Sequence, residues 1–319
     1  DTLLMMRIGS KMFDWGTRTY VMGILNVTPD SFSGDGLLAG DEFKKNVLER
    51  SLQQAEAFLM AGADILDIGG ESTRPGSMLV SAEEELERVI PVIQGLAQRC
   101  PDALISVDTY KAVVADAALV AGAHIINDVW GLRADPELAG VVARHAVPVI
   151  LMHNRSKPAN TSIESRLGGR YVGMEYSNII EDVKAELLES VEIAHRAGIA
   201  DDKIILDPGI GFGKTVEQNL ELVDRFAELR SLGFPLLLAP SRKSFIGYTL
   251  NLPPEQRVEG TAAAVSVGIV RGADIIRVHD VEIMARVARM TDAIIRGRRK
   301  FQSNIAENFY YQAVFVLIN

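Results

Sequence analysis

Ala61-Gly62-Ala63-Asp64-Ile65-Leu66, Ala121-Gly122-Ala123-His124-Ile125-Ile126 and Gly272-Ala273-Asp274-Ile275-Ile276 repeat one local event along the chain. In each, a helical pattern ends at a glycine and a β-branched apolar run begins. Glycine suits the left-handed residue that closes a helix, so each stretch reads as the turn from a helix into a strand. Such turns occur throughout parallel α/β proteins. They bear on fold class and carry no function.

Working outward, short apolar runs recur at Tyr20–Leu25, Ile65–Ile68, Leu104–Val107, Ile125–Asn127, Val147–Met152, Ile204–Leu206, Leu236–Ala239 and Ile275–Val278. Helical patterns fall between them, among them Glu42–Ala61, Ala82–Arg99, Val216–Ser231 and Val281–Ile295, with charges interspersed among apolar residues. Alternating strands and helices imply a parallel sheet, and eight units imply a closed (β/α)8 TIM barrel of class α/β. A chain of 319 residues with 48% hydrophobic content can bury such a core as a single domain. Residues 1–297 are assigned to the barrel. The tail 298–319 has a basic start and an apolar end, finds no strand partner in this count and is given no role.

The formal net charge of -9 argues against a long basic groove, so no nucleic-acid partner is expected. Cys100 is the only cysteine, which excludes an intramolecular disulfide and a cysteine-based zinc cluster and suits a reducing cytoplasm. No apolar run approaches the ~18 residues that span a bilayer, and Asp1–Arg7 lacks the regions of a secretory signal, so a soluble protein is expected.

Polar, glycine and proline residues gather after the strands: Asn26–Gly40, Gly69–Ser81, His153–Arg170, Pro208–Thr215 and Pro240–Glu255. In a barrel these loops meet at the C-terminal rim, where active sites lie. Asn26, Asp67, Asp108, Asn127, His153, Asp207, Lys243, Arg277 and His279 end or follow successive strands, and so many polar groups are hard to satisfy in a core. Asp108, Asn127 and Asp207 with Lys243 offer the donors and acceptors that a 2-amino-4-oxo pyrimidine ring needs. For Asp108 and Asn127 the competing reading is a helix cap. Ser241-Arg242-Lys243-Ser244 after the seventh strand and Arg277-Val278-His279 at the eighth stand where barrels often bind phosphate. The segment Gly209–Thr215 lacks the spacing of a phosphate-binding P-loop, and its glycines read instead as allowing close backbone approach. No HExxH or GxSxG motif is present.

These residues resemble dihydropteroate synthases. Asn26-Val27-Thr28-Pro29-Asp30-Ser31-Phe32-Ser33 and Gly69-Gly70-Glu71-Ser72-Thr73-Arg74-Pro75-Gly76 look like the first two signature loops of that family. Ser106–Tyr110, Ile126–Asp128, Leu206–Lys214, Ser241–Gly247 and Arg277–Asp280 match the rest in order, over about Tyr20 to Gly297. The resemblance implies a cytoplasmic, Mg2+-using homodimer that joins a pterin pyrophosphate to p-aminobenzoate in folate biosynthesis. Carried over, Asp108, Asn127, Asp207 and Lys243 hold the pterin, and Met152 and Phe212 line its pocket. Asn26 is the metal ligand. With Arg277 and His279 it gathers the pyrophosphate. Phe32, Thr73, Arg74, Pro75 and Ser244 shape the p-aminobenzoate site, and Asp35, Thr73, Arg74, Asp207 and Lys243 are the catalytic set. Two features depart from the pattern: an extra Gly34 before Asp35, and the longer, apolar tail.

The nearest rival is a folate-dependent methyltransferase domain serving a corrinoid, which also binds a pterin with strand-end Asp and Asn but has no need of Ser241–Gly247, Arg277 and His279 for a pyrophosphate. A catalytically silent pterin-binding scaffold is the other. It is expected to lose Lys243, Arg277 or the first two loops, and all are present.

Overall fold

The computed structural model describes residues 5–28, 41–72, 77 and 79–297. Phe32, Asp35, Thr73, Arg74, Pro75 and the tail 298–319 lie outside the described residues. Among the described residues the strands are Met5–Ile8 (β1), Lys11–Asp14 (β2), Tyr20–Asn26 (β3), Ile65–Gly69 (β4), Leu104–Asp108 (β5), Ile125–Asp128 (β6), Val149–Met152 (β7), Thr161–Glu164 (β8), Gly168–Tyr171 (β9), Ile204–Asp207 (β10), Leu237–Leu238 (β11) and Ile275–Val278 (β12). The helices are Asp41–Ala61 (α1), Ala82–Arg99 (α2), Ala112–Ala121 (α3), Leu138–His145 (α4), Ile179–Arg196 (α5), Val216–Asp224 (α6), Ser244–Leu250 (α7), Val258–Val270 (α8) and Val281–Arg296 (α9).

The sheet runs in the order β10-β7-β6-β5-β4-β3-β12-β11, with every pairing parallel. A parallel bridge between Leu206 and Leu236, with the Leu206 N–H donating to the Pro235 carbonyl at 2.9 Å, joins the two ends. The eight expected strands therefore close into a (β/α)8 barrel. The three repeated turns end their helices as expected, at Gly62, Gly122 and Gly272 with φ of 104°, 120° and 101°. α2 begins at Ser81, whose Oγ accepts from the Glu84 N–H at 3.2 Å, and α6 begins at Thr215, which forms a reciprocal capping box with Gln218.

Three expectations need correction. The helix expected over Val216–Ser231 stops at Asp224 and continues as a tighter turn over Phe226–Leu232. Phe226 and Leu229, three residues apart, are both fully buried, and a three-residue period keeps both on one face. The loop expected over His153–Arg170 contains most of the antiparallel hairpin β8–β9, whose largely half-buried strands lack the apolar run that announces a strand. The hairpin β1–β2, antiparallel in register from Met5–Asp14 to Ile8–Lys11, lies ahead of the first expected strand.

That first hairpin completes the core. Met6, Ile8, Phe13 and Trp15 pack with Tyr20, Met22, Ile65, Leu104, Ile125, Ile150, Ile205, Leu237 and Ile275, the first inward residues of the barrel strands. The Phe13 ring lies 4.4 Å from that of Tyr20 and 5.3 Å from that of Trp15. The hairpin thus seals the end of the barrel where the strands begin, so the interior opens only at the other end. Phe13→Ala should cost about 3–5 kcal/mol of unfolding free energy, the usual range for emptying a buried aromatic site. Urea titration of the purified variant checks this, and a loss below about 1 kcal/mol would show that the plug is dispensable.

Candidate active site

In a strand, alternate side chains share a face, and this barrel uses the alternation to change character halfway up. The inward residue is apolar at Ile65, Leu104, Ile125, Ile205 and Ile275. Two positions later, still inward, come Asp67, Ser106, Asn127, Asp207 and Arg277, and Asp108 and Asn26 complete the layer above. Outward positions on the same strands, such as Leu66, Ile105, Ile126, Leu206 and Ile276, stay apolar and pack under the helices. The register sets Asn26 beside Gly69, Gly69 beside Asp108, and Asp108 beside Asn127.

Arg277 reaches across this layer. Its Nε donates to Asp67 Oδ2 at 2.6 Å and its Nη2 to Asp108 Oδ2 at 2.7 Å. Asn127 Nδ2 donates to the same Asp67 oxygen at 2.9 Å. Burial opposes the Arg277 charge, but Asp67 and Asp108 more than offset it and raise its pKa. Burial likewise pushes Asp108 above its usual range, with Arg277 pulling against it. Neither Asp108 nor Asn127 caps a helix: the N-cap residues of α3 and α4 are Lys111 and Glu137, and the Ala112 N–H is taken by Asp135 Oδ2 at 2.8 Å. Asp128 holds the turn after β6, accepting from the Trp130 and Leu132 N–H groups at 2.8 and 2.6 Å. A Cβ placed on Gly69 would sit 3.8 Å from both Asn26 Oδ1 and Asp108 Oδ2, so its absence leaves a notch bordered by two oxygens.

The loop from β10 to α6 forms the next wall. Asp207 is buried and its Oδ1 accepts from the Gly209 N–H at 2.7 Å. Burial raises its pKa, against the pull of the Lys243 ammonium. Lys243 Nζ donates to the Ile210 carbonyl and stands 4.8 Å from the centre of the Phe212 ring. Burial lowers the Lys243 pKa to about 7, with Asp207 opposing the shift. Met152, opposite Asp207 in register, is buried beside this wall. The glycines allow the close approach expected of them: a Cβ on Gly209 would meet the His153 carbonyl oxygen at 1.8 Å, and one on Gly213 the Arg155 backbone at 2.4 Å. Lys214 has no resemblance to a P-loop lysine, because its Nζ turns back onto the Gly209 and Phe212 carbonyls at 2.9 and 3.0 Å.

Arg242 and Lys243 differ in environment. Arg242 is the exposed member, with φ of +57°, an uncommon and strained value for a residue with a Cβ. Three contacts hold it there: its N–H donates to Thr261 Oγ1 at 3.0 Å, its carbonyl accepts from Arg257 Nη1 at 2.9 Å, and its Nε donates to Asp280 Oδ2 at 2.9 Å. The chain reverses at Arg242, Lys243 returns to the interior, and Ser244 opens α7 half-buried. Ser241 Oγ accepts from the His279 N–H at 3.1 Å and lies 2.9 Å from His279 Nδ1, which orients that imidazole.

The structure therefore brings Asn26, Asp108, Asn127, Asp207, Lys243, Phe212, Met152 and Arg277 to one end of the barrel, with His279 and Ser244 at its edge. His153 is set apart, fully buried between Lys214 and Glu186. Asp67, expected only as one of the strand-end polar groups, anchors Arg277, and Ser241 and Lys214, expected only as members of their segments, orient His279 and tie the glycine loop. For Asp67 the signal was available, since it stands two residues after the inward Ile65.

A family model described as pterin binding enzyme matches residues 22–279. The dihydropteroate synthase of Clostridium beijerinckii is 49% identical over 292 residues, covering 91% of this chain and 100% of that protein. The solved structure of dihydropteroate synthase from Clostridium difficile in the presence of pteroic acid aligns with a TM-score of 0.79 at 48% identity, over 89% of this chain and 100% of that one. The Xanthomonas albilineans dihydropteroate synthase with 4-aminobenzoic acid aligns with a TM-score of 0.80 at 38% identity, over 92% of this chain and 98% of that one. The matched stretch spans every strand end that builds the polar layer, and the chain belongs to the dihydropteroate synthases within the pterin-binding enzymes.

Proposed function

We propose that the chain condenses 6-hydroxymethyl-7,8-dihydropterin pyrophosphate with p-aminobenzoate to give 7,8-dihydropteroate and pyrophosphate. The observation that carries this is the pairing of two chemistries at one barrel end. Asp108, Asn127, Asp207 and Lys243 supply the donors and acceptors for a pterin ring, and Arg277 beside them supplies a guanidinium for a leaving anion. A methyl-transfer site on the same fold has no use for that cation or for His279.

In the reaction the bond from the pterin methylene carbon to the pyrophosphate oxygen breaks, and the arylamine nitrogen bonds to that carbon and loses a proton. Positive charge builds on the pterin as the pyrophosphate departs. The Asp207 carboxylate is placed to stabilise it, and Arg277 and His279 receive the negative charge on the leaving group. Phe212 and Met152 cover the ring and exclude water. Phe32, Thr73, Arg74, Pro75 and Ser244 are assigned to the p-aminobenzoate side, and Asp35 to the catalytic set, on the family pattern alone.

Mg2+ fits the donors at hand. No three His, Cys, Asp or Glu side chains converge as a cage among the described residues, but Asn26 Oδ1 is a hard oxygen facing the Gly69 notch. An ion that dehydrates reluctantly needs few protein ligands when a substrate brings phosphates. Bound there, it would neutralise charge on the leaving pyrophosphate. The reading also carries a homodimer, supported by Val270, Met290 and Ile294, which stand exposed on α8 and α9. A cytoplasmic location is supported by Cys100 being the only cysteine.

The direct test is incubation of the protein with the pterin pyrophosphate, p-aminobenzoate and Mg2+. Pyrophosphate and dihydropteroate should both appear, and transfer of a methyl group to a corrinoid with neither product would overturn the reading. Asp207→Asn keeps shape and removes charge. A charge-assisted hydrogen bond is worth roughly 1.5–3 kcal/mol, so kcat should fall by at least about 10- to 150-fold. Wild-type turnover would reduce Asp207 to its contact with Gly209. The pH profile gives a further check. Lys243 donates only as an ammonium, and a pKa lowered to about 7 means the proton is present in acid and lost as pH rises. The alkaline limb of kcat/KM, which reports the free enzyme, should therefore lie near that value and move away in Lys243→Arg, whose guanidinium keeps its proton.

A further inference from the structure

Lys214 is a buried cation that the reaction does not use. It is 2% exposed, in the loop between β10 and α6. Three acceptors surround its Nζ: the Gly209 carbonyl at 2.9 Å, the Phe212 carbonyl at 3.0 Å and His153 Nδ1 at 2.9 Å. An ammonium has three protons and no lone pair, so this arrangement uses all of them, whereas a neutral amine would leave one acceptor unmatched. The contact also fixes the imidazole. Because Nδ1 accepts, Nε2 carries the proton, and it faces Glu186 Oε2 at 2.9 Å. Glu186 is held in turn by Arg155, whose Nε donates to its Oε1 at 2.7 Å. Burial and the adjacent Lys214 charge keep the His153 pKa down, to about 3, so the ring stays neutral across the ordinary range.

The two carbonyls belong to the loop that positions Lys243. Between them lies Ile210, whose carbonyl receives the Lys243 ammonium, and Phe212 itself supplies the ring 4.8 Å from that ammonium. A Cβ on Gly211 would meet the Lys243 side chain at 2.9 Å, so the loop and this side chain are in tight contact. The remainder of the loop is tied from α6 and from the segment before α5: Asn219 Oδ1 accepts from the Gly211 N–H at 2.7 Å, and Tyr176 Oη donates to the Gly213 carbonyl at 2.8 Å. The charged groups facing Lys214 are Asp207 on β10, Lys243 ahead of α7, Glu186 on α5 and Arg155 after β7. Burial lowers its pKa and Asp207 opposes that.

We propose that Lys214 is a positioning residue for this reaction: its ammonium, held by the Gly209 and Phe212 carbonyls and by His153 Nδ1, fixes the β10–α6 loop so that the Ile210 carbonyl and the Phe212 ring place Lys243. This rests on the synthase reading for its consequence and on the hydrogen bonds alone for its geometry. The relay Glu186, His153, Lys214 joins α5, the end of β7 and the loop into one unit. The ammonium also adds a second cation near Asp207, which helps that carboxylate stay charged despite burial.

Lys214→Met keeps an unbranched side chain, one heavy atom shorter, and removes the three donors and the charge. The variant should fold with a lower Tm and show kcat reduced about tenfold or more, with the KM for p-aminobenzoate within about threefold of wild type. The acidic limb of its kcat/KM profile should move to higher pH, because Asp207 has lost a neighbouring cation and takes up a proton more readily. In the wild-type protein, long-range proton–nitrogen correlation spectra should show His153 with its proton on Nε2 and no titration through the ordinary histidine range. A folded Lys214→Met variant with wild-type kcat and an unmoved acidic limb would reduce Lys214 to a packing element and overturn the proposal. So would a His153 that carries its proton on Nδ1 or titrates like a free imidazole, and this measurement decides the matter even if the variant does not fold. Failure of the synthase reading is distinct: the wild-type protein would then release no pyrophosphate.

Discussion

Closing eight parallel strands forces every second side chain into an interior too narrow to hold bulk water, and that constraint governs the rest of this structure. Below, the constraint is met by aliphatic residues and by the Phe13 hairpin. Above, it is met by polar groups that pair with one another where they can, although Asp67 Oδ1 and Ser106 Oγ stay buried without a hydrogen-bond partner. Isolated charges there would each cost several kcal/mol, so Arg277 stands between Asp67 and Asp108, and Asn127 shares the Asp67 oxygen. A polar layer built this way is costly to leave incomplete and stiff once complete. Its groups are therefore already oriented before any ligand arrives.

The walls of the site repeat the same logic in loops. Gly209 and Gly213 let the β10–α6 loop press its backbone against the loop after β7, where any Cβ would collide. Close approach buries carbonyls, and buried carbonyls need donors. Lys214 supplies them from within the loop, and His153 and Glu186 extend the support to α5. Across the site, the strained φ of Arg242 is held by Thr261, Arg257 and Asp280 and turns Lys243 inward. The residues closest to the proposed chemistry are thus held by others that do not touch it, which suits a reaction that depends on placement and charge and needs no covalent intermediate on the protein.

The sequence by itself determined the eight strands and their order, because β-branched runs and terminal glycines are local signals that the barrel does not override. It also determined that Asn26, Asp108, Asn127, Asp207, Lys243 and Arg277 end those strands, and the motifs around them placed the family. Short strands with little apolar content, such as β8 and β9, gave no local signal, and the break after Asp224 answered to the burial of Phe226 and Leu229. Only the tertiary structure decided which charges meet. The pairing of Arg277 with Asp67, 210 residues earlier, and of Lys214 with His153, 61 residues earlier, depends on barrel register and loop packing. One lysine in the glycine loop and one after the seventh strand look alike in sequence. Their roles separated because one ammonium is enclosed by carbonyls while the other lies against a ring at the mouth of the barrel, and enclosure is a property of packing that spacing along the chain does not encode.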